Sequence, residues 1–288
     1  MGGFPAGDVV VQAPAIASDT IARLAAIADP DAIEAIAPRK GATVVAWRFK
    51  GASPTDALRE AAARAGLDLA VVPRARRWAD VRIVAMDMDS TLITIECIDE
   101  IAAHAGLKDA VAAVTESAMR GEIDFKASLT RRVALLKGLS ADALEAVYRD
   151  RLALTPGAET LLAAARAVGA KTLLVSGGFT FFTERLRERL GLDATASNVL
   201  EIVDGTLTGR VLGDIVDADA KAAALRAMRA RHAANGGLVV GIGDGANDLP
   251  MLRLADVSVA YRAKPVVRAQ ATHAIDHGGL DAVLNLFN

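Results

Sequence analysis

Apolar and polar positions follow two periods along the chain. From residue 81 onward, short apolar runs typical of strands buried in a parallel sheet alternate with helical stretches. Predicted strands are residues 81–85, 171–175, 238–242 and 257–261, and predicted helices are residues 158–168, 180–190, 218–234 and 281–287. Asp204-Gly205, which stands between apolar positions, predicts a hairpin over residues 199–211. The alternation predicts an α/β fold built on a parallel sheet.

Residues 98–153 interrupt this alternation, because they show no strand pattern. Leu129, Val133 and Leu136 recur at helical spacing, and Gly138 with Ser140 marks the end of one helix and the start of the next, predicted over residues 141–152. We expect about four short helices in this block. An insertion at the carboxyl end of the first strand would lie over a site there as a lid.

Residues 1–75 predict a separate small α/β module. Its helix over residues 54–65 is expected to be capped by Ser53 and to end at Gly66. The other predicted elements are strands at residues 8–12, 42–49 and 67–72, helical stretches at residues 21–27 and 31–36, and a linker at residues 73–78. None of these residues has the side-chain types of catalysis, which favours an interaction or regulatory role.

Composition limits the classes of function. The 288 residues are 52% hydrophobic and 24% charged, which is typical of a globular protein large enough for more than one core. No apolar run approaches the roughly 18 residues that cross a bilayer, so no membrane association is expected. A net charge of -2 offers no basic field for nucleic acid, and small molecules are the expected partners.

The cysteine content and the first residues of the chain indicate the cellular compartment of the protein. Cys97 is the single cysteine, which excludes an internal disulfide, and we expect it to be a small buried residue. Residues 1–8 lack a charged segment followed by an apolar one, the pattern of a secretion signal. A cytoplasmic location is therefore expected.

Polar side chains follow several predicted strands at their carboxyl ends, where open α/β sheets bind ligands. The groups are Asp87 with Asp89, Ser176 with Gly177, Asp244 with Asn247 and Asp248, and Lys221 near a helix start. Carboxylates are the ligands of hard divalent cations, whereas hydroxyl, amide and ammonium groups donate to phosphate oxygens. Taken together, the groups predict a combined metal and phosphate site. Separately, each has an ordinary alternative: a turn and cap for the two aspartates, a helix cap for Ser176 and a solvated surface lysine for Lys221.

The motifs MDMDST, SGGF, the isolated Lys221 and GDGANDLPM resemble, in this order, the four motifs of haloacid dehalogenase-type (HAD) phosphatases. ECIDEIA and FKASLTRRVALLKG resemble more narrowly the phosphoserine phosphatases of that family. The resemblance covers about residues 82–288. It implies a three-layer, Rossmann-like parallel sheet with a helical cap inserted after the first strand. The N-terminal α/β module resembles ACT-type ligand-binding modules, although it has no glycine-rich ligand loop.

The resemblance also implies roles for the motif residues. Asp87 would be the nucleophile that forms an aspartyl-phosphate, and Asp89 the general acid and then base. Mg²⁺ would be bound by the side chains of Asp87 and Asp244 and by the backbone carbonyl of Asp89, with Asp248 in support. Ser176, Gly177 and Lys221 would donate to the phosphate oxygens, and Asn247 would contact substrate or phosphate.

Substrate selectivity is assigned by the same resemblance to cap residues. Glu96 would face the ammonium of O-phospho-L-serine, and Arg132 would bind its carboxylate. Met119 and Phe125 would close over the serine backbone. The residue types alone leave other interpretations open: a helix-start acid for Glu96, a solvated residue for Arg132 and helical core packing for Met119 and Phe125. The four histidines show no ligand spacing, and none is predicted to be catalytic.

The expected function is Mg²⁺-dependent hydrolysis of O-phospho-L-serine to L-serine and phosphate, the last step of serine biosynthesis. One alternative is phosphatase or phosphotransferase action on another small phosphomonoester. A hypothesis from another functional class is that the chain is mainly a regulator whose N-terminal module senses an amino acid. The sequence leaves a homodimer open.

Overall fold

A computed structural model describes residues 7–288; residues 1–6, on which the expectation about a secretion signal partly rests, lie outside the described residues. The N-terminal module is an antiparallel sheet of order β2-β3-β1-β4, with two helices packed on one face. Its elements are β1 (Gly7–Ala13), α1 (Ser18–Ala28), β2 (Ala32–Ile36), β3 (Val45–Lys50), α2 (Asp56–Arg64) and β4 (Asp68–Pro73). Val9, Leu24, Phe49 and Leu58 are among the buried side chains between sheet and helices, which explains their apolar spacing.

Two predictions for this module are wrong. Residues 31–36 were expected to be helical, yet β2 pairs antiparallel with β3, with Ile33 opposite Phe49. Ala and Glu are good helix formers, but intrinsic helix propensity is a small free energy that pairing with a neighbouring strand overrides. The cap of α2 is Thr55, whose Oγ1 accepts from the Leu58 amide at 3.2 Å, and not Ser53. The stop at Gly66 is confirmed, since its φ of +67° lies in the left-handed region.

The first strand of the larger sheet, β5 (Val81–Asp87), leads into the inserted helices. These are α3 (Cys97–His104), α4 (Lys108–Met119), α5 (Phe125–Leu135) and α6 (Asp142–Asp150), which confirms the predicted helical block. The two chain segments that join this cap to the sheet are hydrogen-bonded to each other. Thr94 N donates to Ala153 O at 3.0 Å, and Thr155 N donates to Leu92 O at 2.9 Å.

After the cap, helices and strands alternate as predicted. The elements are α7 (Ala158–Ala167), β6 (Lys171–Phe179), α8 (Thr180–Leu190), β7 (Ala194–Val203), β8 (Thr206–Leu212), α9 (Ala218–His232), β9 (Leu238–Gly243), α10 (Leu249–Leu252), β10 (Val257–Tyr261), α11 (Pro265–Arg268) and β11 (His273–Ile275). Together with β5, these strands form a seven-stranded sheet of order β11-β10-β9-β5-β6-β7-β8. In this sheet only β8 runs antiparallel to its neighbour. Strand β11 and the short helices α10 and α11 were not predicted, and residues 280–286 form a 3-10 segment where an α-helix was expected.

Alternate residues of β5 enter different cores. Ile83 and Ala85 belong to the apolar cluster on one face of the sheet, whereas Val84 and Met86 belong to the cluster on the other. The strand is therefore buried on both faces, as its continuous apolar run predicts. The result is a three-layer α/β fold with a helical cap. Among residues 7–288, no helix has the length and apolar character needed to cross a membrane.

The N-terminal module packs on the core through its other sheet face and through buried polar contacts. Val10 and Val72 share an apolar cluster with the 3-10 segment Leu280–Leu286. The buried Asp68 carboxylate accepts from the backbone amides of Asp276 at 2.8 Å, His277 at 3.2 Å and Gly278 at 2.9 Å. Asp68 therefore fixes the chain that follows β11 against β4.

Replacing Asp68 with Asn should destabilise the protein by about 2 kcal/mol, because an amide has one acceptor oxygen and would leave buried amides unpaired. The free energy of unfolding in urea measures the effect. Asp19→Asn is the matched control, since Asp19 lies on the exposed surface in an ion pair with Arg23. Equal stability of the two variants would contradict the structural role assigned to Asp68.

Candidate active site

The carboxyl ends of three central strands bring the predicted site residues together. Strands β9, β5 and β6 are adjacent and parallel, so Asp244, Asp87 and Ser176 lie at one edge of the sheet. Around them lies a cavity of about 400 Å³. Its lining includes Asp87, Asp89, Glu96, Phe125, Arg132, Gly177, Asp244 and Asn247. The sheet therefore forms the floor of the cavity and the cap forms its roof.

Lys221 is a buried cation at this edge. Its side chain is 1% exposed, and its Nζ lies 2.8 Å from Asp87 Oδ1 and 2.8 Å from Asp248 Oδ1. Although burial alone lowers the pKa of Lys221, the two carboxylates outweigh burial and raise it, so the ammonium stays charged. The interpretation of Lys221 as a solvated surface lysine is wrong.

Three carboxylates, those of Asp87, Asp244 and Asp248, have oxygens within 4.8 Å of one another. Burial and then the Asp248 charge raise the pKa of Asp87 well above its usual value, although Lys221 opposes the shift. The same two causes raise the pKa of Asp244 to about 6, and the Thr91 hydroxyl bond at 3.0 Å opposes them. Clustered oxygen donors that repel one another suit a hard divalent cation, so these residues could hold a metal ion.

Asp248 is occupied by protein contacts. Its Oδ1 binds Lys221, and its Oδ2 accepts from the amides of Asp244 at 3.2 Å and Gly245 at 3.0 Å. A Cβ at position 243 would lie 2.5 Å from Asp248 Oδ2, which explains the glycine there. Asp248 therefore shapes the loop that presents Asp244.

Asp89 stands between the cap and the strand ends. Its Oδ1 accepts from the Cys97 amide at 2.8 Å, and its Oδ2 lies 3.4 Å from Ser176 Oγ. Burial raises the pKa of Asp89, which favours a protonated carboxyl. Burial likewise raises the pKa of the Cys97 thiol well above its usual range, so Cys97 is a neutral, buried residue as predicted.

The SGGF segment brings its backbone close to the cavity. The Gly178 amide donates to Ser176 Oγ at 2.8 Å. A Cβ at position 177 would lie 2.8 Å from Phe125 Cζ, so only glycine lets the cap phenylalanine sit this close. Phe125 thus covers the segment from the cap side.

Glu96 and Arg132 face the same cavity from the cap. Ser90 Oγ donates to Glu96 Oε1 at 2.6 Å, whereas burial and then the Asp89 charge raise the pKa of Glu96 to about 7. Burial lowers the pKa of Arg132, and its Nε is the one buried side-chain polar atom without a hydrogen-bond partner among residues 7–288. A half-buried guanidinium whose Nε is unpartnered, at the lining of a cavity, is suited to bind an anion from solution.

The cap is tied to the core at points other than its connecting segments. The amides of Gly138 and Ala141 donate at 2.8 Å to the carbonyls of Leu207 and Gly205, in the hairpin formed by β7 and β8. On the cavity side, Lys126 Nζ lies 3.0 Å from Asp217 Oδ2, the residue that caps α9. The cap therefore rests on the hairpin and on the start of α9.

Eight of the predicted site residues line this cavity, whereas three others, Ser176, Lys221 and Asp248, are buried just behind its lining and one, Met119, lies elsewhere. Met119 is 71% exposed at the end of α4 and does not line the cavity, nor does it pack in a core. Sequence reasoning also missed two residues. Thr91 positions Asp244 by a hydrogen bond, and Lys264 lines the cavity just after β10. The position of Lys264 beyond a strand's carboxyl end was the signal that could have revealed it.

Comparison with known proteins agrees with this geometry. Residues 84–253 match the haloacid dehalogenase-like hydrolase family. A phosphoserine phosphatase of Polaromonas sp. is 54% identical over 226 residues, which are 77% of this chain and 96% of that protein.

Solved structures show the same relation. The unliganded structure of a probable phosphoserine phosphatase from Vibrio cholerae matches with a TM-score of 0.83 and 35% identity, over 99% of this chain and 88% of the other. A phospho-aspartyl intermediate analogue of phosphoserine phosphatase matches with a TM-score of 0.66 and 35% identity, over 72% of this chain and 99% of the other. The chain therefore belongs to the haloacid dehalogenase-like hydrolase family and groups, within it, with the phosphoserine phosphatases.

Proposed function

We propose that the protein hydrolyses O-phospho-L-serine to L-serine and inorganic phosphate, as the final step of L-serine formation in the cytoplasm. The observation that carries the proposal is the cavity itself. It joins a carboxylate held by a buried ammonium, Asp87 with Lys221, to the oppositely charged pair Glu96 and Arg132. Its groups match the phosphate, the ammonium and the carboxylate of this substrate.

In the first step, a carboxylate oxygen of Asp87 attacks phosphorus, and the bond between phosphorus and the serine oxygen breaks. Asp89 gives its proton to the departing serine oxygen, and its raised pKa suits that role. A solved relative contains an analogue of a phospho-aspartyl intermediate, which supports a covalent aspartyl-phosphate. In the second step, water loses a proton to Asp89 and attacks phosphorus, which releases phosphate and the free carboxylate of Asp87.

The donors around Asp87 stabilise the phosphate oxygens during both steps. Ser176 Oγ, the Gly177 amide and Lys221 Nζ are fixed by the sheet edge and by α9 before substrate arrives. Lys221 also opposes the rise in the pKa of Asp87 that burial and the Asp248 charge cause, which favours the ionised carboxylate needed in a nucleophile. Asn247, at the cavity wall, is placed to contact substrate or phosphate.

Mg²⁺ is the metal we propose for the acidic cluster. Asp87 and Asp244 would hold it with their side chains and Asp89 with its backbone carbonyl, whereas Asp248 is already bound to Lys221 and to backbone amides. When bound, the ion neutralises charge on the transferring phosphoryl group. The donor set consists of oxygens alone, which suits Mg²⁺.

Selectivity would come from the cap. Arg132 has an unpartnered Nε and is suited to hold the substrate carboxylate, while the carboxylate of Glu96 would face the ammonium. Phe125 would close the cavity over the serine backbone. Only a substrate that carries both charges would satisfy both groups.

We also propose that the N-terminal module is regulatory. A charged cleft of about 750 Å³ lies between this module and the carboxyl-terminal segment. Its lining includes both signs of charge, such as Asp31, Glu34 and Arg39. A cleft with both signs suits a zwitterion such as an amino acid.

Replacing Asp87 with Asn should lower kcat for O-phospho-L-serine by about a thousandfold or more, because the amide cannot attack phosphorus. Chelating Mg²⁺ should abolish activity of the unaltered protein, and adding it back should restore it. Phosphate release is measured for phosphoserine, phosphothreonine, phosphohomoserine and sugar phosphates. The control is Asp109→Asn, an exposed position on α4. Full activity of Asp87→Asn, or preference for another ester, would contradict the proposal.

Replacing Glu96 with Gln or Arg132 with Ala should raise KM for phosphoserine by about tenfold or more, because each variant loses one charge that faces the substrate. Hydrolysis of p-nitrophenyl phosphate, which has neither an ammonium nor a carboxylate, should change little. Arg131→Ala is the matched control, since Arg131 is the exposed neighbour on α5. Unchanged selectivity in both cavity variants would refute the substrate assignment.

If the cleft binds L-serine, inhibition by serine should persist at saturating phosphoserine. The Arg39→Ala variant should weaken that inhibition by about tenfold, whereas Lys40→Ala, at an exposed neighbouring position, should not. Initial rates over a grid of serine and phosphoserine concentrations measure both effects. Inhibition that high substrate relieves completely would count against a separate effector site.

A further inference from the structure

The phosphate-binding segment after Val175 leaves the sheet ladder. Strands β6 and β7 pair as Val175 with Ala196 and then as Phe179 with Asn198. Four residue steps on β6 therefore face two steps on β7, which makes residues 176–178 bulge from the sheet. The bulge presents the segment to the cavity, and it leaves backbone groups without strand partners.

Asn198 supplies the missing partner. Its side chain is buried, with the residue 1% exposed, and its Nδ2 donates to Gly177 O at 2.8 Å. The same peptide unit carries the Gly178 amide, which donates to Ser176 Oγ at 2.8 Å. One peptide plane is thus held between Asn198 and Ser176. Ser176 Oγ accepts this bond, and its own hydroxyl proton points to Asp89 Oδ2 at 3.4 Å, a long bond that it can exchange for one to a phosphate oxygen.

The other end of the same side chain reaches the second phosphate-binding element. Asn198 Oδ1 accepts from the Val216 amide at 2.8 Å. The next residue, Asp217, caps α9 through the Ala220 amide at 3.0 Å, and the Lys221 amide donates to Asp217 O at 3.0 Å. The amide group of Asn198 therefore joins the SGGF segment to the first turn of the helix that carries Lys221.

We propose that Asn198 is a positioning residue for phosphate, which sets the separation between the Ser176–Gly178 donors and Lys221 while touching no reacting atom. Both contacts require an amide, because one end donates and the other accepts. An aspartate could accept from Val216 but would repel the Gly177 carbonyl, and an apolar residue would leave both groups unpaired. The inference rests on the proposed phosphate-ester chemistry at this site, but not on serine as the leaving group.

Asn198→Asp separates the two contacts, because it keeps the acceptor for Val216 and removes the donor to Gly177. We expect the competitive inhibition constant of inorganic phosphate to rise about tenfold and kcat to fall, because donors moved by less than an ångström bind phosphate oxygens poorly. The competitive constant of L-serine, which Glu96 and Arg132 would hold, should stay unchanged. Both constants are measured on the full chain with Mg²⁺, with p-nitrophenyl phosphate and phosphoserine as substrates.

Ser197→Ala is the matched control. Ser197 precedes Asn198 on β7, and the substitution removes its hydrogen bond of 2.7 Å to Thr183 on α8, which does not involve the phosphate donors. The phosphate constant should therefore stay unaltered. Inhibition constants describe the folded fraction of the protein, so a loss of stability does not obscure them. Asn198→Ser, whose side chain is too short for either contact, should likewise weaken inhibition by phosphate and leave inhibition by serine unchanged. Constants for phosphate and serine that shift together, or a phosphate constant that does not shift, would overturn the proposal.

Failure of the proposed substrate would look different. In that case the unaltered protein would cleave p-nitrophenyl phosphate and be inhibited by inorganic phosphate, but it would not hydrolyse phosphoserine. The phosphate constants of the Asn198 variants would still decide whether this residue positions the donors.

Discussion

The site depends on two ion pairs of one buried ammonium. Lys221 lies between the carboxylates of Asp87 and Asp248 and pairs with both. Removing charges from water costs several kcal/mol for each ion, and only close, hydrogen-bonded partners offset that cost. The three charges therefore fix one another, and with them β5, α9 and the loop that follows β9. One group of ion pairs therefore holds the proposed nucleophile Asp87, the phosphate donor Lys221, and Asp248, which supports the proposed metal site.

One ammonium does not neutralise this edge of the sheet. Asp244 adds a third carboxylate to the two that Lys221 joins, and burial, followed by the Asp248 charge, raises its pKa to about 6. A substrate dianion would be repelled by this excess unless a divalent cation accompanied it. The charge arrangement thus makes metal and phosphate binding mutually dependent, which argues for one combined site at the strand ends.

Sequence patterns predicted the parts of the fold that depend on local order. The apolar run of β5 and the polar residues at the strand ends followed from burial on both faces and from parallel topology. Residues 31–36 were mispredicted as helical because pairing of β2 with β3, the next strand along the chain, decides their conformation. The contacts of Asn198 depend on a ladder irregularity and on partners 21 and 18 residues away. The burial of Lys221 and the missing partner of Arg132 Nε likewise require three-dimensional packing.

The attachment of the cap constrains how a ligand can reach the cavity. Its connecting segments are bonded to each other near Thr94 and Thr155, and its residues 138–141 are bonded to the hairpin of β7 and β8. A cap held by backbone hydrogen bonds along one side cannot move away as a whole, so any widening has to come from the side around α4 and the turn before α5. On that side the exposed ion pair between Lys126 and Asp217 is the contact that would have to open, so the rate at which substrate and product pass beside Phe125 would depend on how readily this pair breaks.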